Sequence, residues 1–288
     1  MTITDSRPAV RNAKTAAARP RRAARSWPLV ALLAVLSVLT VSPFVAMFIV
    51  ALSPAGEPTV PGSWPSRLTL DNMLQVLETS GFLEWTANSA IYSVVSVVVI
   101  LITASMAGYA FAKKRFPGRD AILWTFLATM MVPFQATLIP TYVLVSDLGG
   151  VDTFWGLIVP TLANSQAVFL MRQFILGLPD ELFDAAKVDG ASELRIYWTI
   201  VVPLTKPILA TLGVFVFLWH WNDFLWPLVI GQSDATRTLT VGLTILRTEE
   251  MQITLLMASA AITVLPCLLV FFLLQRYLVN SIAMTGLK

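Results

Sequence analysis

Long apolar runs separated by short polar stretches dominate the chain. Leu29–Leu52, Trp85–Ala112, Ala121–Ser146, Thr153–Met171 and Met251–Gln275 contain no charged residue, and Pro207–Ile230 contains one, Asp223. A helix rises about 1.5 Å per residue, so about 20 apolar residues cross the hydrocarbon core of a bilayer. Each run is long enough, with Thr153–Met171 the tightest fit. The pattern predicts an all-α polytopic membrane protein with six transmembrane helices. Pro43, Pro133, Pro140, Pro160, Pro227 and Pro266 lie inside the runs. Such prolines break soluble helices but are tolerated as kinks in a membrane bundle. The first run is longer than the roughly 7–15 residues of a signal-peptide core, and Pro54 sits just past the one small-residue cleavage site, so a retained helix is expected.

The stretches between the runs set the orientation. Arg7, Arg11, Lys14, Arg19, Arg21, Arg22 and Arg25 precede the first run. Lys113, Lys114, Arg115 and Arg119 lie between the second and third, and Arg172, Lys187, Arg195 and Lys206 between the fourth and fifth. Arg276 and Lys288 follow the sixth, leaving only Arg67, Arg237 and Arg247 for the other side. Cytoplasmic loops carry the excess of Lys and Arg. Both termini are therefore expected in the cytoplasm, as an even number of spans requires. Residues 1–26, rich in Ala, Arg and Pro, read as a disordered basic tail near anionic headgroups, ahead of a membrane domain over 27–288. The tail has no interleaved aromatic residues, which argues against nucleic-acid binding.

Composition narrows the function. Charged residues make up 13% of the chain and hydrophobic residues 56%, against about 25% charged in soluble domains. One cysteine, Cys267, excludes an intrachain disulfide and a cysteine-cluster metal site. One histidine, His220, excludes a histidine-based metal site and a Ser-His-Asp triad. Catalytic residues, a bound metal and a cofactor in this chain are therefore not expected. No Gly-x-x-x-x-Gly-Lys-Ser/Thr stretch is available to cradle ATP phosphates.

The connection between the fourth and fifth runs is too polar to span and too ordered for a linker. Pro179 suits a first helical position, with Asp180 and Glu181 at the positive end of the helix dipole. Leu182, Ala185, Ala186 and Val188 form a small-residue apolar face, and Gly190 is placed to stop the helix in a left-handed conformation. Ser192 then caps a second helix, and Pro203 and Pro207 mark the entry to the fifth span. Four acids (Asp180, Glu181, Asp184 and Asp189) suit an anionic leaflet poorly, so a protein partner is expected on this element, residues 179–203.

Asp184-Ala185-Ala186-x-x-Asp189-Gly190-Ala191, followed by Ile200-Val201-Val202-Pro203, resembles the EAA motif of ABC importer permeases, in particular the sugar-importer branch around the second maltose-permease subunit. Asn88-Ser89, Phe116-Pro117-Gly118, Met131-Val132-Pro133, Trp221-Asn222-Asp223-Phe224 and Gln275-Arg276-Tyr277 agree with that likeness, which runs from about residue 27 to the end. Two features depart from it. Asp184 stands where the family usually has Glu, and the ending Met284-Thr285-Gly286-Leu287-Lys288 differs from the usual Gly-Ala-Val-Lys-Gly.

The resemblance implies a division of labour. Residues Asp184, Ala185, Ala186, Asp189, Gly190, Ala191 and Pro203 would belong to a cytoplasmic coupling helix that docks on a separate ATPase dimer holding ATP and Mg. A second, homologous permease subunit and an extracytoplasmic sugar-binding protein would complete the importer in the cytoplasmic membrane. On the outer side, Asp234, Arg237, Arg247, Glu249 and Glu250 are candidate contacts with that binding protein.

Polar groups within the spans are candidates for the translocation path: Gln135, Asn164, Asn222 and Asp223. Asp223 is the one acid inside a predicted span. It reads either as a sugar-hydroxyl contact or as a helix-capping group within an aromatic belt of Trp219, Trp221 and Trp226; because Trp-Asn-Asp/Glu recurs in the family whatever the sugar, the belt is the expectation. A stand-alone six-span carrier or channel would place ionisable groups deep in several spans, and a membrane enzyme would need paired acids or histidines. Within the importer family, glycerol-3-phosphate would favour a cationic lining. No Lys or Arg lies in a run, which favours a neutral di- or oligosaccharide.

Overall fold

The computed structural model describes residues 27–57, 64–79, 81–248 and 252–285. The basic tail expected over 1–26 lies outside the described residues. Regular structure among the described residues is helical: α1 (Trp27–Ala51), α2 (Asp71–Glu78), α3 (Phe82–Lys113), α4 (Arg119–Thr129), α5 (Phe134–Asp147), α6 (Phe154–Ile158), α7 (Ser165–Leu176), α8 (Asp180–Val188), α9 (Glu193–Ile196), α10 (Val202–Trp221), α11 (Leu225–Ile230), α12 (Leu239–Thr248) and α13 (Ile253–Thr285). Four helices are long and apolar enough to cross a membrane, and six spans result if each of two bent pairs counts as one.

The chain divides into two units, residues 1–43 and 44–288. The described part of the first is the N-terminal portion of α1. Its hydroxyls bond back onto the helix, Ser37 onto the Leu33 carbonyl at 2.7 Å and Thr40 onto that of Leu36 at 2.8 Å, so these side-chain donors are paired in an apolar environment.

In the second unit α3 passes through three apolar clusters in turn. Phe82 and Trp85 join Phe217, Trp221, Ala258 and Ala261. Tyr92 joins Val145, Leu157, Trp226 and Ile230. Ile100, Ala104, Tyr109 and Phe111 join Met171, Ile175, Phe183, Tyr197 and Val216. Close packing of α3 on α7 depends on Gly108. A Cβ there would stand 2.7 Å from the Met171 Cβ and 2.9 Å from the Arg172 amide, and overpacking of this kind costs about 1–3 kcal/mol.

The bent pairs correct the sequence reading. The expected third span is α4 and α5, which meet at 102°. Pro133 lacks an N–H and disfavours a helical residue before it, so it ends one helix and opens the next rather than kinking a single one. The expected fourth span bends by 43° ahead of Asn164. The fifth differs most. Its helix does not begin at Pro207 but runs from Glu193 to Trp221, taking in α9, a wide turn at Tyr197–Val201 and α10. The wide turn lies directly before Pro203, where a regular turn would clash with the proline ring. The helix then ends at Trp221 rather than Ile230, which leaves Asn222 and Asp223 in a break before α11.

Candidate functional site

The polar element after α7 is two helices joined by a glycine turn, as its caps predict. α8 closes with the Ala191 amide donating to the Ala186 carbonyl at 2.9 Å and the Gly190 amide to that of Lys187 at 3.0 Å. Gly190 has φ +75°, the left-handed conformation that favours glycine at this position. The Ser192 side chain accepts from the Arg195 amide and starts α9.

One face of α3 holds this element. Ser105, Tyr109 and Lys113 recur every four residues. Ser105 and Tyr197 hydroxyls lie 2.7 Å apart, and Tyr109 donates to Glu193 at 2.9 Å. Lys113 Nζ donates to the Leu178 carbonyl at 2.7 Å and to Asp180 at 2.6 Å, and stands 5.0 Å from the centre of the Phe183 ring. Lys114 pairs with Glu193. The Lys113 ammonium, by hydrogen bond and charge, holds the Asp180 carboxyl below the ordinary carboxylate range.

The candidate coupling residues divide between two faces. Phe183 is buried, and Ala186 and Ala191 pack partly against the chain's own core. Asp184, Ala185, Asp189 and Gly190 are exposed, as is Pro203 in the first turn of α10. Ala186 therefore belongs to the seat of α8 and not to its outer surface. The uncovered apolar stripe is Leu182, Ala185 and Val188, with Val188 88% exposed.

Of the candidate path residues, Gln135, Asn222 and Asp223 line one cavity of about 560 Å³ between the Pro133 bend and the break after Trp221. Asn164 is not among its lining residues. Its side chain accepts from the Ala167 amide at 2.9 Å and caps α7. The aromatic belt is also corrected. Trp221 and Trp226 are buried, donating to the Thr263 and Leu157 carbonyls, and only Trp219 of the three is open, at 49%. Tyr92, fully buried on α3, donates to Asp223 at 2.8 Å. His220 is buried beside it, its Nδ1 donating to the Val216 carbonyl at 2.8 Å.

Two of the five candidate binding-protein contacts, Asp234 and Arg237, have partners within the chain. Asp234 pairs with Arg237 and accepts from Trp85 Nε1 at 3.0 Å. Asn88 Nδ2 donates to the carbonyls of both Asp234 and Arg237 at 2.9 Å, and Ser89 Oγ accepts from the Leu239 amide at 2.8 Å. The side chain of Arg247, and Glu249 and Glu250, lie outside the described residues. Sequence reasoning missed Asp152, which has φ +60° and accepts from the Gln232 and Ser233 amides and the Thr236 hydroxyl. Those donors, the Thr236 hydroxyl first, hold its carboxyl down at about 2.

Comparison with known proteins gives the family. Residues 100–284 match the family model of the binding-protein-dependent transport system inner membrane component. The arabinooligosaccharides transport system permease protein AraQ of Halalkalibacterium halodurans is 35% identical over 269 residues, 91% of this chain and 96% of its own length. The alpha-glucoside transport system permease protein AglG of Rhizobium meliloti is 38% identical over 236 residues, 78% of this chain and 61% of that one. Among solved structures, a bacterial ABC transporter involved in the import of the acidic polysaccharide alginate aligns with a TM-score of 0.77 at 25% identity, covering 87% of this chain and 95% of that one. The chain belongs to the binding-protein-dependent transport system inner membrane component family, the membrane-embedded permeases of ABC importers.

Proposed function

We propose that this chain is one of two transmembrane subunits of an ATP-driven importer that carries a neutral di- or oligosaccharide into the cell. It has six spans, with both termini in the cytoplasm and α8 as the coupling helix. A dimer of separate ATPase subunits holds ATP and Mg and docks on α8, a second homologous permease completes the pathway, and a binding protein delivers the sugar from outside. The relatives named for arabinooligosaccharide and alpha-glucoside transport support the sugar class.

The observation that carries the reading is the two-sided character of α8. One side is seated on α3 by Lys113 and Phe183. The other presents Leu182, Ala185 and Val188 between acids, an apolar stripe with a polar rim of the kind protein interfaces use. Ala185→Glu puts a charge into that stripe without disturbing the seat, and Gly190→Val places a β-branched side chain at φ +75°, where such residues are outliers, re-aiming the helix. Both variants should insert normally, while uptake and binding-protein-stimulated ATP hydrolysis in proteoliposomes fall at least tenfold and capture of the ATPase weakens. Wild-type rates in both assays would remove α8 from the coupling role.

A further inference from the structure

Two helix breaks face one another across the 560 Å³ cavity: the Pro133 turn between α4 and α5, and the Asn222–Phe224 turn between α10 and α11. Phe215 and Trp219 lie at helical spacing on one side of α10, Asn222 follows just past its end, and Phe134 and Gln135 lie opposite at the start of α5. Phe215 is 62% and Trp219 49% exposed, so ring surface is left open. Gln135 makes no side-chain hydrogen bond among the described residues. Asp223 receives the Tyr92 hydroxyl at 2.8 Å on one carboxylate oxygen. A carboxylate offers about four acceptor sites, so acceptor capacity remains for an incoming donor.

This is a contact set for a particular kind of solute. Open aromatic faces take the C–H surface of a sugar ring, and a carboxylate and amides at the rim take its hydroxyls. An acid at membrane depth faces a water-filled path or a partner rather than lipid, which argues against an acyl chain. Asp223 is the charged residue among the described lining residues. With no cation to offset it, a phosphate or uronate would meet a like charge in a poorly screened site.

We infer that the cavity is a subsite for a neutral sugar ring, stacked on Trp219 and hydrogen-bonded by Asp223 and Gln135, so that this subunit itself contacts the cargo and excludes anionic solutes. Tyr92 is a positioning residue that holds Asp223. The inference rests on the importer reading above and adds the site and charge class of the cargo.

The test uses the complete importer in proteoliposomes, with uptake of radiolabelled arabinotriose, maltose and sn-glycerol-3-phosphate scored per ATP hydrolysed. The wild type should carry a neutral probe and not the phosphate. Trp219→Ala should lower neutral-sugar uptake per ATP about tenfold, and Trp219→Phe, which keeps an aromatic face, should stay within about twofold of wild type. Gln135→Ala, which removes no packed ring, should lower it about threefold. Phe272→Ala, at an exposed α13 position remote in sequence from the cavity, serves as the control. Neutral uptake by the wild type with an unchanged ratio in Trp219→Ala and Gln135→Ala would overturn the subsite and leave the importer reading standing. Equal losses in Trp219→Ala and Trp219→Phe would also overturn it, since packing rather than stacking would then be at work. Uptake of sn-glycerol-3-phosphate but neither sugar would overturn both the subsite and the proposed cargo.

Discussion

Asp152 ties two connections together through a single carboxylate. Its donors come from residues 232–236, about 80 positions away along the chain. Because its folded pKa of about 2 lies below the ordinary 3.8, the clamp is fully present above the ordinary carboxylate range and is lost as pH falls through about 2. Protease cleavage within residues 231–238 should therefore rise as pH drops from 5 toward 2. Asp152→Asn tolerates the same positive φ but gives up the charge-assisted bonds, so it should show raised cleavage already at pH 7 and a flatter acid limb. A protection profile identical to wild type would assign the clamp to Asn88 and Trp85 instead. Little of this was legible in the sequence. Asp152 follows two glycines in a tight turn, which marks a turn but not its distant donors. The same distance hid the hydrogen bond from Trp85 to Asp234, which fastens the loop to α3.

The polar element shows the opposite case. Every signal that shapes α8 and α9 acts within five residues: acids in the first turn, Gly190 past the end, Ser192 before the next helix. Local chemistry of this kind can be read in one pass. Its seat cannot, because Lys113 meets Asp180 across 67 positions. Ala186 was expected on the outer face for this reason: spacing defines a face but not which neighbour covers it. Removing the Lys113 contacts should loosen α8 without unfolding α3, since an ion pair with a partner exposed at 78% contributes about 1 kcal/mol or less. In Lys113→Ala, amide exchange across 180–191 should speed about tenfold while amides of the α3 midsection keep their protection. Unchanged exchange in α8 would mean that burial of Phe183 alone fixes it. The spans were legible as apolar runs, but their breaks were not, because a proline in a run can kink or end a helix and only packing decides which.

At the scale of the whole molecule the proposed topology makes a simple demand. A reporter fused after Lys288 should be active only if that reporter folds in the cytoplasm, and a periplasm-dependent reporter at the same site should be silent. The reverse pattern would invert every connection and put α8 out of reach of an ATPase. The proposed orientation also gives the helix from Glu193 to Trp221 a role beyond crossing the bilayer. At about 1.5 Å per residue its 29 residues form a rod about 43 Å long, with the glycine turn after α8 at one end and the aromatic cavity at the other. A rod transmits rotation as well as tilt, and each residue of α-helix turns it by about 100°. One residue inserted between Val202 and Phe215 would lengthen the rod by only about 1.5 Å yet swing the Trp219 ring about a quarter turn off the cavity, leaving the residues of α8 untouched. The docking surface and the cavity are thus held in phase by a residue count.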